Sequence, residues 1–102
     1  MIHVIATIEV IPGKRQAFLD EFHRLVPQVL EEDGCIEYGP TVDVDTGLEI
    51  VAAPRADVVT VVERWESVEA LRAHIAAPHV QAYLDKVQDI VAAVDIRVTE
   101  PV

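Results

Sequence analysis

The feature that most constrains this chain is a change of period between Val58 and His79. A run of β-branched residues, Val58, Val59, Thr60, Val61 and Val62, leads into Glu63-Arg64-Trp65, and after Ser67 the apolar residues Val68, Leu71 and Ile75 recur at helical spacing. β-Branched side chains suit a pleated, buried strand. Alternation along it sets Val59, Val61, Glu63 and Trp65 on one face and Val58, Thr60, Val62 and Arg64 on the other. A carboxylate therefore lies on an apolar stripe. Ser67 is a natural helix N-cap with Glu69 in the first turn. His74, next to Ile75, borders the buried face of that helix, Pro78 breaks it, and His79 restarts the chain. One strand end and one helix start thus gather Glu63, Trp65, His74 and His79, and a pocket is expected there.

The rest of the chain supplies a partner for each of these elements. Ile2, Val4, Ala6, Ile8 and Val10 alternate with His3, Ile5, Thr7, Glu9 and Ile11, a first strand with apolar residues on both faces, ended by Pro12-Gly13. A helix from about Lys14 to Asp33 carries Phe18, Phe22, Leu25, Val26, Val29 and Leu30 on one stripe, with a kink expected at Pro27 and a left-handed cap at Gly34. Ile36, Tyr38, Val42 and Val44 mark a second strand, where Gly39-Pro40 suggest a bulge or a sheet edge. In the insert over 45–57, Asp45-Thr46-Gly47 make a turn and Leu48 to Ala53 are expected to return as a short extra strand. A second helical piece carries Val80, Tyr83, Leu84, Val87 and Ile90, and Val94, Ile96 and Val98 alternate in a last strand.

The order strand, helix, strand, strand, helix, strand predicts an α+β fold, a ferredoxin-like antiparallel sheet with helices on one face. The bare face would carry Ile5, Thr7, Ile11, Val58, Thr60 and Val62. Such a face is expected to pair with its own copy in a symmetric homodimer joined sheet to sheet.

At 102 residues the chain makes a single domain over residues 1–102. No apolar run approaches the roughly 20 residues of a membrane helix. No basic, apolar, small-residue leader opens it, so a cytoplasmic location is expected. Eighteen acidic against eight basic side chains give a net charge of −10, with the basic residues scattered. Nucleic acid and anionic membranes, which need a concentrated positive footprint, are excluded as expected partners. One cysteine, Cys35, makes no internal disulfide and has no second thiol for a redox or zinc site.

The segment Glu63-x-Trp65-x-Ser67-x-x-Ala70-Leu71-x-x-His74-x-x-x-Pro78-His79, preceded by Gly34-Cys35-x-x-Tyr38 and by Pro12-Gly13-Lys14 with Phe18, resembles the antibiotic biosynthesis monooxygenase domain family, in particular its quinol monooxygenase branch. The resemblance covers nearly the whole chain. It implies a dimeric α+β barrel with a ligand pocket between each sheet and its own helices. It also implies a cofactor-independent monooxygenase that oxidises a small phenol or quinol with dioxygen and no metal, flavin or haem. A deprotonated quinol is itself an electron donor, so the protein need only bind the ring, take a proton and stabilise the oxyanion in a dry site. Glu63, Trp65, His79 and His74 are the implied catalytic residues: Trp65 as an aromatic wall, Glu63 or a histidine as the base, with His79 preferred to His74. Tyr83, Phe22 and Tyr38 are the candidate substrate-binding side chains.

Each residue also has a structural reading. Trp65 is equally a core plug, Glu63 a partner for Arg72 or a histidine, His74 a group satisfying the helix break, and His79 a ring in water. Three other functions compete. Glu63, His74 and His79 match the composition of a two-histidine, one-carboxylate iron triad, although Pro78 intervenes between the histidines. Related barrels degrade haem, but the asparagine they place on the first strand is absent where Ala6, Thr7 and Ile8 stand. The third is a non-catalytic, small-ligand-binding or stress-related dimer using the same pocket.

Overall fold

The structure, a computed structural model, describes all 102 residues. Its elements run β1 (Ile2–Val10), α1 (Arg15–Leu30), β2 (Cys35–Thr41), β3 (Val58–Trp65), α2 (Val68–Ala76), α3 (Pro78–Val87) and β4 (Val91–Thr99). The four strands form one antiparallel sheet in the order β2-β3-β1-β4, the ferredoxin-like arrangement the sequence predicts. In β1 and β3 burial alternates with the sequence pattern. Val4, Ala6, Ile8, Val59, Val61, Glu63 and Trp65 share the face that packs under the helices. From α1, Phe18, Phe22, Leu25 and Val29 descend onto that face at spacings of four, three and four residues, the stripe of a 3.6-residue period. No helix is long and apolar enough to cross a membrane.

Several local expectations are corrected. Leu48 to Ala53 form no strand; the segment after Thr41 turns at Leu48–Val51 and stays irregular up to β3. β2 is the sheet edge, paired with β3 on its inner side, and no segment pairs with its outer side. Instead Arg55 anchors the base of this excursion, its Nε donating to Asp43 Oδ2 at 2.8 Å and its backbone N–H to the same oxygen at 3.0 Å. Of the bulge or edge suggested by Gly39-Pro40, the edge is found: β2 ends the sheet, Gly39 and Pro40 pair regularly with Val62 and Val61, and the irregularity falls instead between Cys35 and Glu37. Pro40 is tolerated because an edge strand leaves one backbone side unpaired. α1 contains Pro27 and ends at Leu30, short of the expected Asp33.

The apolar face expected for α2 is also redistributed. His74 is the buried residue of this helix, whereas Val68 and Ile75 are about half exposed. α2 is rotated so that the imidazole packs against the rings of Trp65 and Tyr38, at centroid separations of 4.7 and 5.3 Å. On the face turned away from the helices Ile5 is 37% exposed and Ile11 is exposed, but Val58 is buried. A larger apolar exposure lies elsewhere. Val94, Ile96 and Val98 pair with Ile8, Ala6 and Val4 and so share the helix-side face, yet they are 52%, 61% and 49% exposed because the helices do not cover β4.

Gly34 ties the site to this frame. Its φ of +82° is a left-handed conformation, its carbonyl accepts from the Glu66 N–H at 2.8 Å, and a Cβ there would meet Ala70 Cβ at 2.6 Å. The chain entering β2 is thereby held against the β3–α2 junction, next to Trp65 and His74.

Candidate active site

Between the sheet and the helices lies a cavity of about 480 Å³ that opens toward β4. Its wall is apolar except for Glu63, His74, Gln88 and the hydroxyl ends of Tyr38 and Tyr83. Phe22, Tyr38 and Tyr83 supply aromatic surface. Phe22 and Tyr38 stack at 5.3 Å with their planes 13° apart, and Tyr83 meets Phe22 edge-on at 5.6 Å. This is a site for a flat apolar molecule with a few polar substituents.

Glu63 is 6% exposed and pairs with no lysine or arginine; Arg72 is in solvent. Its Oε1 accepts a hydrogen bond of 2.8 Å from the indole N–H of Trp65, two residues further along the same face of β3. Burial pushes the Glu63 carboxyl up from the ordinary range. The Trp65 bond and charge on His74 pull it back, and the Glu32 carboxylate adds to the rise. Trp65 itself has no exposure and does not line the cavity. It stands behind Glu63 as a donor, not as the aromatic wall the resemblance implies.

His74 is held from the other side. Its Nδ1 lies 3.1 Å from both carboxylate oxygens of Glu32, and the Nε2 of His79 lies 2.6 Å from Glu32 Oε2. An ionised carboxylate only accepts, so His74 meets Glu32 with a proton on Nδ1, and its Nε2 has no protein partner. No sealed side-chain nitrogen or oxygen is without a partner. His74 Nε2, Glu63 Oε2 and the hydroxyls of Tyr38 and Tyr83 have no protein partner, so all four are accessible within the space their residues line. Burial raises both tyrosines well above the normal phenol range, with the charge of Glu63 adding to it, and they stay protonated donors.

Of the residues singled out in the sequence, the fold brings Glu63, His74, Tyr38, Tyr83 and Phe22 to the cavity. Trp65 is one shell back, and His79 lies outside the lining, part-exposed, with Glu32 between it and His74. Both imidazoles turn to Glu32 instead of converging with Glu63, and no cluster of side chains has the arrangement of a metal site. Cys35, at the start of β2, is raised by burial and by Glu32 and Glu63, the setting of an unreactive thiol.

Glu32 is the residue sequence reasoning missed. In Glu31-Glu32-Asp33 just before a helix-ending glycine it reads as one of three solvated charges. The signal was the stripe itself, since 18, 22, 25 and 29 continue by the same alternation to 32. Glu32 prolongs the buried face of α1 beyond its last turn and meets the two histidines there.

A ferredoxin-like sheet, with an aromatic cavity under its helices and a buried carboxylate on the third strand, defines the class, and comparison supplies the family. The family profile described as Antibiotic biosynthesis monooxygenase matches residues 1–86, and the chain belongs to that family. It is 42% identical over 104 residues to the "Probable quinol monooxygenase YgiN" of Escherichia coli (strain K12), covering 99% of this chain and 98% of that protein. Among solved structures, PA3566 from Pseudomonas aeruginosa aligns with a TM-score of 0.83 at 23% identity, over 99% of this chain and 93% of that one. Rv0793 from Mycobacterium tuberculosis aligns at 0.81 and 24%, over 99% and 94%. These two establish the fold.

Proposed function

We propose that the cavity binds a quinol or electron-rich phenol and that the protein catalyses its monooxygenation by dioxygen without a metal, flavin or haem. The observation that carries this reading is Glu63: a buried carboxylate with one oxygen held by Trp65 and the other open to an aromatic, otherwise apolar cavity. The 42% identity to the "Probable quinol monooxygenase YgiN" supports the same substrate class.

Glu63 Oε2 takes a hydroxyl proton from the bound ring, and burial, which raises its basicity, suits it to the task. His74 Nε2 receives or returns the second proton, its other nitrogen fixed by Glu32. Protonated Tyr38 and Tyr83 donate to oxygen charge as it develops, and the apolar wall strengthens those bonds by excluding water. The deprotonated quinol reduces dioxygen. One oxygen atom ends on the ring and the other leaves as water with two hydrogens of the quinol, so quinol and dioxygen give hydroxyquinone and water. The ring supplies all four electrons, and no external reductant is consumed. The working unit is a homodimer, joined through the sheet face that carries Ile5, Thr60 and Val62.

An oxygen electrode, run on chelator-treated protein against a panel of phenols and quinols, tests the proposal. It requires sustained uptake with at least one quinol and loss of that uptake in Glu63→Gln. Quenching of Trp65 fluorescence by quinols without oxygen uptake would make the protein a binder instead.

A further inference from the structure

We infer that the cavity is completed by a second copy of the chain: the apolar segment of residues 42–53 from one protomer seats on the β4 side of the other's cavity and closes its mouth. This rests on the dimeric reading above.

Two uncovered apolar surfaces carry the inference. At the mouth, Val94, Ile96 and Val98 of β4 line the cavity while about half exposed, and Ile75 and Leu84 on its helical rim are 54% and 46% exposed. In the irregular segment, Val44, Leu48 and Ile50 are 70%, 61% and 94% exposed, with Val42 and Val51 also open. Residues 42–53 form neither helix nor strand, and their base is clamped by the Asp43–Arg55 pair. Such a loop presents its side chains outward without burying them in its own protomer. Contiguous apolar exposure of this extent marks an interaction surface.

Topology favours one occupant. A two-fold axis can close two sheets of order β2-β3-β1-β4 into a barrel with unlike edges adjacent or with like edges adjacent. With unlike edges adjacent, the segment that follows β2 of one copy lies over β4 of the other. With like edges adjacent, β4 meets β4 and the 42–53 segments are left in water. Only the first arrangement covers both apolar surfaces at once. A specific interface buries roughly 1,200–2,000 Å² in total, and two symmetry-related contacts of this kind add their area to that of the joined sheet faces. The mouth would then be walled by Leu48 and Ile50 of the other protomer, and water would be kept from the aromatic cavity only in the dimer.

Cross-linking between differently substituted chains tests this without any ligand. In a Cys35→Ala background, chains carrying Ile50→Cys are mixed with chains carrying Ile96→Cys, so that only contacts between copies can link. All three added or altered positions lie outside the polar groups of the cavity. A disulfide forms only where Cβ atoms approach to about 4.5 Å or less, and a short bis-maleimide extends the reach. In an equal mixture at statistical subunit exchange half of the protein is in mixed dimers, and the expected result is conversion of that fraction to a two-chain band, while Ile50→Cys mixed with Asp20→Cys on α1 stays single-chain. Sedimentation of the same samples separates the failures. A dimer that links no better than the Asp20→Cys control overturns the seating of the segment and leaves the dimer standing. A monomer overturns both.

Discussion

The indole N–H of Trp65 donates to Oε1 of Glu63 at 2.8 Å inside the protein, and this bond is what makes a carboxylate tolerable on an otherwise apolar strand face. Removing one partner of a buried pair leaves the other unsatisfied. Trp65→Phe is expected to cost about 1–3 kcal/mol for the orphaned acceptor, and Trp65→Ala about 3–5 kcal/mol because a cavity is added. Denaturant unfolding of both variants checks the order. The bond also lowers the carboxyl, so Trp65→Phe should move the rising limb of the pH–rate profile to higher pH.

Glu63 makes stability depend on pH in a stated direction. Its folded-state pKa is raised, mainly by burial, so the folded protein binds the proton more tightly than the unfolded chain does. The stabilisation this gives is complete below the ordinary carboxylate pKa and is lost as pH rises through the elevated folded value. Glu63→Gln keeps an oxygen for the Trp65 N–H and does not titrate. Its stability relative to the unsubstituted protein is expected to improve from acid to neutral pH, measured as the difference in unfolding free energy across that range. A difference that is flat or falls with pH would contradict the raised value. Catalysis has the opposite dependence, because the base must be ionised, so kcat/KM should climb through the pH range where that stability is lost.

Glu32 fixes the proton of His74 on Nδ1. Glu32→Gln offers a donor as well as an acceptor, and nitrogen NMR of labelled histidine should then show a mixed tautomer population for His74 in place of a single Nδ1–H form. Turnover is expected to fall on the order of tenfold, less than the roughly hundredfold or more attributed to a positioned acid or base itself, because Glu32 acts through His74. Glu32→Ala leaves both imidazoles without their acceptor and should cost about 1–3 kcal/mol of stability as well.

Two glycines with the same φ of +82° separate conformational strain from steric conflict. At Gly13 an added Cβ meets nothing within 4 Å, and at Gly34 it meets Ala70 Cβ at 2.6 Å. Gly13→Ala should cost about 1–2 kcal/mol for the left-handed backbone alone. Gly34→Ala should cost roughly 1–3 kcal/mol more for the overlap, and thermal unfolding of the pair reads the difference. Because Gly34 sits against the β3–α2 junction, Gly34→Ala is also expected to weaken ligand binding where Gly13→Ala does not.

The strands and helices were legible because period-2 and period-3.6 patterns are local properties: β1, β3 and α1 follow their alternation almost residue by residue. Glu63 was legible for the same reason, as a charged residue in phase with Val59 and Val61. The relation of His74 to His79 was not. It depends on Glu32, which reaches them from more than 40 positions earlier in the chain, and on the roll of α2, which sends His74 inward and Ile75 outward. Apolar periodicity alone ranks those two the other way. Residues 42–57 misled because Leu48, Ile50 and Val51 have strand-like composition, whereas composition alone does not bring a segment to a partner: the outer side of β2 stays unpaired and all three side chains stay exposed.

The most direct measurement is the fate of isotopically labelled dioxygen supplied to chelator-treated protein with a quinol it binds. The account predicts a hydroxyquinone carrying a single labelled oxygen atom, formed with one dioxygen consumed per quinol and suppressed in Glu63→Gln. An unlabelled quinone product, or undiminished label incorporation in Glu63→Gln, would contradict it.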